Sequence, residues 1–127
     1  MEYLCLCCKQ IRQINIKMIN VCIIGLGYWG KKVLRSIKKI KKIKNVQIIK
    51  SRKDKNKVNL NNLKWIFVTT PTNSHYQLVK KYLKKKINIF CEKPLTNNIK
   101  KDNELFKLAK RMKCKLYVSD IENFKKI

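Results

Sequence analysis

Only three glycines occur in the chain, and all of them fall within one short run, Val21-Cys22-Ile23-Ile24-Gly25-Leu26-Gly27-Tyr28-Trp29-Gly30. Against so glycine-poor a background the G-x-G-x-x-G spacing is hard to assign to chance. Its context is also specific, because an apolar β-branched stretch precedes it and a helix-like stretch follows. A strand that ends in such a turn and opens a helix is the pattern of a dinucleotide-binding site. Gly25 would permit the tight turn, Gly27 would let a pyrophosphate approach the backbone, and Gly30 would let the helix pack close to the strand. Unpaired N–H groups and the helix dipole at that terminus favour an anion.

The rest of the chain fits around this unit. Ile19 to Ile24 reads as a central parallel strand buried on both faces. Val33, Leu34, Ile37 and Ile40 then recur at helical spacing, and the Lys-rich stretch from Lys38 to Lys44 is read as the solvated face of that helix. Asn45 breaks the pattern before a second strand, Val46 to Ile49, and residues 51 to 63 are polar. A third strand spans Trp65 to Thr69, a second helix His75 to Lys86, a fourth strand Ile87 to Cys91, and a fifth Leu116 to Ser119. Between the last two, Ile99, Leu105, Leu108, Ala109 and Met112 mark a helix that Thr96, Asn97 or Asn98 could cap. Strands alternating with helices predict an α/β fold: a single-domain, Rossmann-type parallel sheet with helices on both faces. The domain is expected over residues 18–127, with residues 1–17 as an extension ahead of Met18.

Composition bounds the function classes. The net charge of +25 points formally to nucleic acid or an anionic surface. However, Lys, Asn and Ile supply 58 of the 127 residues. All three have A/T-rich codons, and a coding bias accounts for lysine wherever a solvated face tolerates it. Nucleic-acid binding is therefore expected to be non-specific and salt-sensitive. The cysteines, Cys5, Cys7, Cys8, Cys22, Cys91 and Cys114, form no C-x-x-C pair. They read as small hydrophobes in a reducing, cytoplasmic compartment and not as a disulfide or metal framework. No apolar run approaches the ~20 residues of a membrane span, and no membrane partner is expected.

In a parallel sheet of this kind ligands lie beyond the carboxyl ends of the strands. Those ends carry Gly25, then Ser51-Arg52, then Thr69-Thr70-Pro71-Thr72-Asn73, then Glu92-Lys93-Pro94. Both prolines of the chain and its single histidine, His75, fall in these loops. The expected acidic residue about 20 positions beyond the glycine turn is replaced by Ser51-Arg52, a hydroxyl and a guanidinium suited to a 2′-phosphate. NADP is accordingly favoured over NAD as the cofactor.

The order G-x-G-x-x-G, T-P-T-N-x-H, E-K-P resembles the nucleotide-binding half of the glucose–fructose oxidoreductase / inositol 2-dehydrogenase (Gfo/Idh/MocA) family. The Gly-Tyr-Trp-Gly turn, with Tyr28 and Trp29, is similar to members that oxidise nucleotide-linked or amino sugars. The resemblance implies that Lys93 sits beside the nicotinamide and contacts the substrate hydroxyl, where an ammonium can stabilise developing negative charge. It further implies that Glu92 bonds ribose hydroxyls, that the Lys93–Pro94 peptide is cis, and that Thr69 to Asn73 and His75 line the nicotinamide and ribose side. Family members carry a second α/β domain with the substrate site and an acid/base residue. This chain is expected to lack that domain and to be an incomplete catalyst alone, completed by a separate chain if at all. The competing expectations are a basic nucleic-acid-binding α/β protein and a non-functional remnant.

Overall fold

The computed structural model describes residues 17–50 and 58–119. It contains five strands and three α-helices in the order β1 (Ile19–Ile24), α1 (Tyr28–Lys38), β2 (Ile43–Ile49), β3 (Leu63–Val68), α2 (His75–Lys84), β4 (Asn88–Cys91), α3 (Ile99–Arg111) and β5 (Leu116–Val118). A short 3-10 turn, Thr72–Ser74, leads into α2. All strand pairs are parallel, and the sheet order is β2-β1-β3-β4-β5. The chain thus runs outward from β1 in one direction and then, after β2, outward in the other. The reversal puts a topological switch point between β1 and β3, where a crevice opens beyond the strand ends.

The alternation of β1 sorts the core into two layers. Cys22 and Ile24 face α2 and α3, joining Ile66, Val68, Leu78, Val79, Leu83, Ile89 and Leu105 in one cluster. Val21 and Ile23 face α1, packing with Ile37 and the partly buried Val33, Leu34 and Phe67. Helices therefore lie on both faces, as the alternating sequence pattern predicts. Cys22 and Cys91 are free thiols inside the first layer. Burial pushes both up to about 12, which keeps them un-ionised and inert. Cys5, Cys7 and Cys8 lie outside the described residues.

Several boundaries differ from the sequence expectation, each for a local reason. Strand β2 begins at Ile43, so Asn45 sits inside it. The register passes from Ile19↔Ile43 to Asn20↔Asn45, leaving Lys44 as an extra residue. Asn45 Nδ2 donates to Asn20 Oδ1 across this irregularity at 3.4 Å. Helix α1 ends at Lys38, so only the start of the Lys38–Lys44 run is helical, although its lysines are exposed as expected. Ile99 is 78% exposed and does not belong to the buried stripe of α3, because it is the first residue after the cap. That cap is Asn98, whose side chain accepts from the backbone N–H of Lys100 and Lys101 at 2.9 and 3.3 Å. The chains leaving α2 and α3 turn through Lys86 (φ 60°) and Lys113 (φ 55°), a left-handed conformation that glycine adopts most readily.

Leu105, fully buried between α3 and the sheet, and Ile99 give a direct contrast. Leu105→Ala should cost about 2–5 kcal/mol in urea denaturation, whereas Ile99→Ala should change stability by less than about 0.5 kcal/mol. In the same assay Lys113→Gly should stabilise the fold by up to about 1 kcal/mol, since the left-handed residue then carries no Cβ.

Candidate functional site

Four residues just past the strand ends form a row along the carboxyl edge of the sheet. Gly25 N–H donates to Ile49 O (2.9 Å), Thr69 N–H to Ile24 O (3.0 Å), Glu92 N–H to Val68 O (2.9 Å) and Ser119 N–H to Cys91 O (2.8 Å). Each is thus fixed by its neighbour, and the loops that carry the sequence-predicted site residues start from one rigid line.

The glycine turn is set by steric necessity. Gly25 has φ +96°, and a Cβ there would lie 2.9 Å from the Thr70 methyl and 3.0 Å from the Thr69 carbonyl. A Cβ on Gly30 would fall 2.1 Å from Gly25 O and 2.9 Å from Thr69 Oγ1. This is the close helix-to-strand approach for which the third glycine is expected. Thr69 Oγ1 completes the joint by donating towards Gly25 O (2.6 Å) and Ile24 O (3.2 Å). Gly27 is different: a Cβ there would meet nothing within 4 Å. It is the N-cap of α1 and lacks a side-chain cap, and no acidic residue stands in the first helical turn. The first intrahelical bond is Lys31 N–H to Gly27 O. The N–H groups of the turn before it therefore have no helical acceptor and stand open to an anion.

A crevice of about 710 Å³ opens over this turn, lined by Gly25, Leu26, Gly27, Tyr28, Trp29, Lys31, Lys50, Thr69, Thr70 and Pro71. Tyr28 and Trp29 pack edge to face, with ring centroids 5.4 Å apart. The Lys32 ammonium lies 4.4 Å and 4.8 Å from their two centroids. The hydrogen bond and charge of Lys32 also lower the Tyr28 phenol from its ordinary pKa. Leu26, Lys31 and Lys50 were not singled out by sequence. Lys50 is the residue immediately after β2, the position where cofactor contacts are sought. One lysine among 28 carries no distinguishing signal.

The remaining sequence-predicted residues divide. Thr72 and Asn73 lie in the 3-10 turn beyond Pro71 and outside the crevice lining. Ser51 and Arg52 lie outside the described residues. Glu92 is 8% exposed and faces the α1 side of the sheet, lining a second groove rather than the crevice. Lys93 is exposed, and its peptide bond to Pro94 is cis. His75, expected to line the cofactor, is 1% exposed, and its two ring nitrogens face backbone carbonyls. Nε2 lies 2.7 Å from Thr70 O, and Nδ1 lies 2.9 Å from Pro94 O and 3.2 Å from Leu95 O. It links the loop after β3 to the loop after β4. Ser74 reinforces the first loop by donating to Pro71 O at 2.7 Å, with Thr70 Oγ1 2.6 Å away. Among the described residues no group of three His, Cys, Asp or Glu side chains could hold a metal ion, and no helix is long and apolar enough to cross a membrane.

Residues 19–120 match the family model of the Gfo/Idh/MocA oxidoreductases, described as an oxidoreductase family with an NAD-binding Rossmann fold. The chain belongs to this family. What it matches is the family's NAD-binding Rossmann domain. Among solved structures it is similar to scyllo-inositol dehydrogenase from Lactobacillus casei with bound NAD(H) and scyllo-inositol (TM-score 0.72, 21% identity). The match covers 85% of this chain and 38% of that one. It is likewise similar to biliverdin reductase from Synechocystis in complex with biliverdin and NADP+ (TM-score 0.71, 16% identity), with 82% of this chain and 38% of that one covered. At these identities the likeness is one of fold. The chain spans well under half the length of these relatives. No curated protein matches it in sequence.

The steric difference among the glycines gives a test. Gly30→Ala should destabilise the fold by about 1–3 kcal/mol, because the clash is with backbone. Gly27→Ala should stay within about 1 kcal/mol in the same denaturant titration.

Proposed function

We propose that this domain binds NADP(H), in preference to NAD(H), in the crevice over the glycine turn, and serves as the cofactor half of a dehydrogenase acting on a sugar or cyclitol hydroxyl. The observation that carries the reading is the uncapped N-terminus of α1 behind a glycine with open space beside it. Backbone N–H groups are thereby offered to a pyrophosphate with no side chain in the way. The preference for the 2′-phosphate rests on the Lys31 and Lys50 side chains that line the crevice and on Ser51-Arg52 in the sequence. A bound nicotinamide supplies the hydride acceptor or donor. This chain's part is to hold the dinucleotide and to present Lys93, whose ammonium would polarise the substrate oxygen and stabilise charge on it. His75 fixes the two loops on which that arrangement depends. The substrate and its acid/base partner would come from a further domain.

Binding to the native state raises stability by mass action, about 1.4 kcal/mol at tenfold excess over Kd, which is a Tm rise of roughly 4–8 °C for a domain of this size. NADPH should produce that rise at lower concentration than NADH. Gly27→Asp should abolish it while the variant stays folded, since aspartate is a good N-cap but sets a carboxylate against the phosphates. A folded protein unmoved by millimolar NADPH, or a shift that survives Gly27→Asp, would rule this reading out.

A further inference from the structure

The hydroxyl of Thr69 is engaged inside the protein, although the residue lines the crevice. Its oxygen lies 2.6 Å from Gly25 O and 3.2 Å from Ile24 O. A hydroxyl has one proton to donate, and the shorter contact gives it to Gly25 O. The same oxygen lies 2.9 Å from the point where a Gly30 Cβ would begin. It therefore fills the space between the glycine turn and α1. The backbone of Thr69 is fixed as well, its N–H donating to Ile24 O at 3.0 Å. The donor is thus held by the loop after β3, while the acceptor belongs to the turn after β1.

We infer that Thr69 is a positioning residue for the cofactor phosphates, acting through the Gly25–Leu26 peptide and not by touching the ligand. In a planar trans peptide the C=O and the following N–H point in opposite directions. The Gly25 carbonyl points into the joint, towards Thr69 Oγ1 and the backbone of Gly30. The Leu26 N–H of the same plane therefore points out of the joint, and Leu26 lines the crevice. Among the described residues that N–H has no hydrogen-bond acceptor. Glycine is the residue least able to hold such a plane by itself, because without a Cβ its backbone visits both hands. A flip of the peptide would turn a carbonyl oxygen on the phosphates and withdraw the N–H. The Thr69 hydrogen bond opposes that flip. It also polarises the peptide, which makes the Leu26 N–H a better donor. That the ligand is a dinucleotide pyrophosphate rests on the reading above; the orientation of the peptide rests on the hydrogen bond.

The test uses the full 127-residue chain with NADPH, adenosine 2′-phosphate and inorganic pyrophosphate as probes at physiological salt. Thr69→Val removes the hydroxyl and keeps the branched shape. Thr69→Ala removes it without setting a methyl against Gly25 O, and Thr69→Ser keeps it. In calorimetric titration NADPH affinity should fall about three- to tenfold in Thr69→Val and Thr69→Ala. It should stay within about twofold of the parent in Thr69→Ser. Adenosine 2′-phosphate lacks the pyrophosphate and should bind parent and variants alike. In the amide proton–nitrogen spectrum of the isotope-labelled protein, pyrophosphate should shift the Leu26 resonance in the parent and in Thr69→Ser. The shift should be smaller, at the same concentration, in the variants without a hydroxyl. If Thr69→Val fails to fold, Thr69→Ala carries the comparison. Unchanged NADPH affinity in Thr69→Ala, an equal loss in Thr69→Ser, or a parent Leu26 amide unmoved by pyrophosphate would each overturn the proposal. Parallel losses of NADPH and adenosine 2′-phosphate would overturn it too, by showing a general loosening of the fold. A Leu26 shift that depends on the hydroxyl, with no NADPH binding by the parent, would uphold the role of Thr69 and reject the cofactor reading. NADPH binding insensitive to Thr69→Ala would do the reverse.

Discussion

Everything at the carboxyl edge of the sheet depends on one backbone approach, helix α1 lying against the turn that ends β1. The carbonyl of Gly25 occupies the space where a Gly30 side chain would begin. Thr69 Oγ1 donates to that same carbonyl from the neighbouring strand. Three elements therefore meet at a single oxygen. Any side chain at position 30 would lever the helix away, and with it the row of N–H groups that faces the crevice. The switch-point topology places this joint where the connections diverge, so the crevice is a consequence of strand order and not of loop conformation.

Much of this is legible from sequence because it follows from steric rules that few residues satisfy. Three glycines in an otherwise glycine-free chain locate the turn, and apolar β-branched runs locate the strands. The parts that misled were those where lysine and isoleucine are too common to inform. Ile99 has the spacing of a core residue but stands at the first turn of its helix, where the capping chain holds it in solvent. Lys50 lines the crevice, yet nothing distinguishes it from other lysines. Asn45 looks like a breaker, but its side chain meets Asn20 within the sheet. His75 shows a different limit. Its sequence position beside the site is as expected, but its buried ring serves the backbone, and burial depends on a loop 19 residues away in the chain.

The same compositional bias explains features that would otherwise look like design. Lys86 and Lys113 adopt left-handed backbone angles at helix ends, where glycine would be free of the Cβ penalty. The exposed faces of the helices are similarly occupied by lysine. Lys80 pairs with Glu104 at 2.8 Å. The Glu104 and Tyr76 hydrogen bonds hold Lys80 up to about 12, but the pair is solvent-exposed and adds little stability. Stability must come from the apolar layers, and those layers are not equally complete.

The two loops that follow β3 and β4 are held by a different device from the glycine turn. Both nitrogens of His75 face carbonyl oxygens, Nε2 that of Thr70 on one loop and Nδ1 those of Pro94 and Leu95 on the other. The same loops carry Thr69 to Pro71, at the crevice, and Lys93, at the head of the cis turn. Their spacing is set by an interior side chain out of reach of solvent. The loops after β3 and β4 are thus tied to each other through the protein interior.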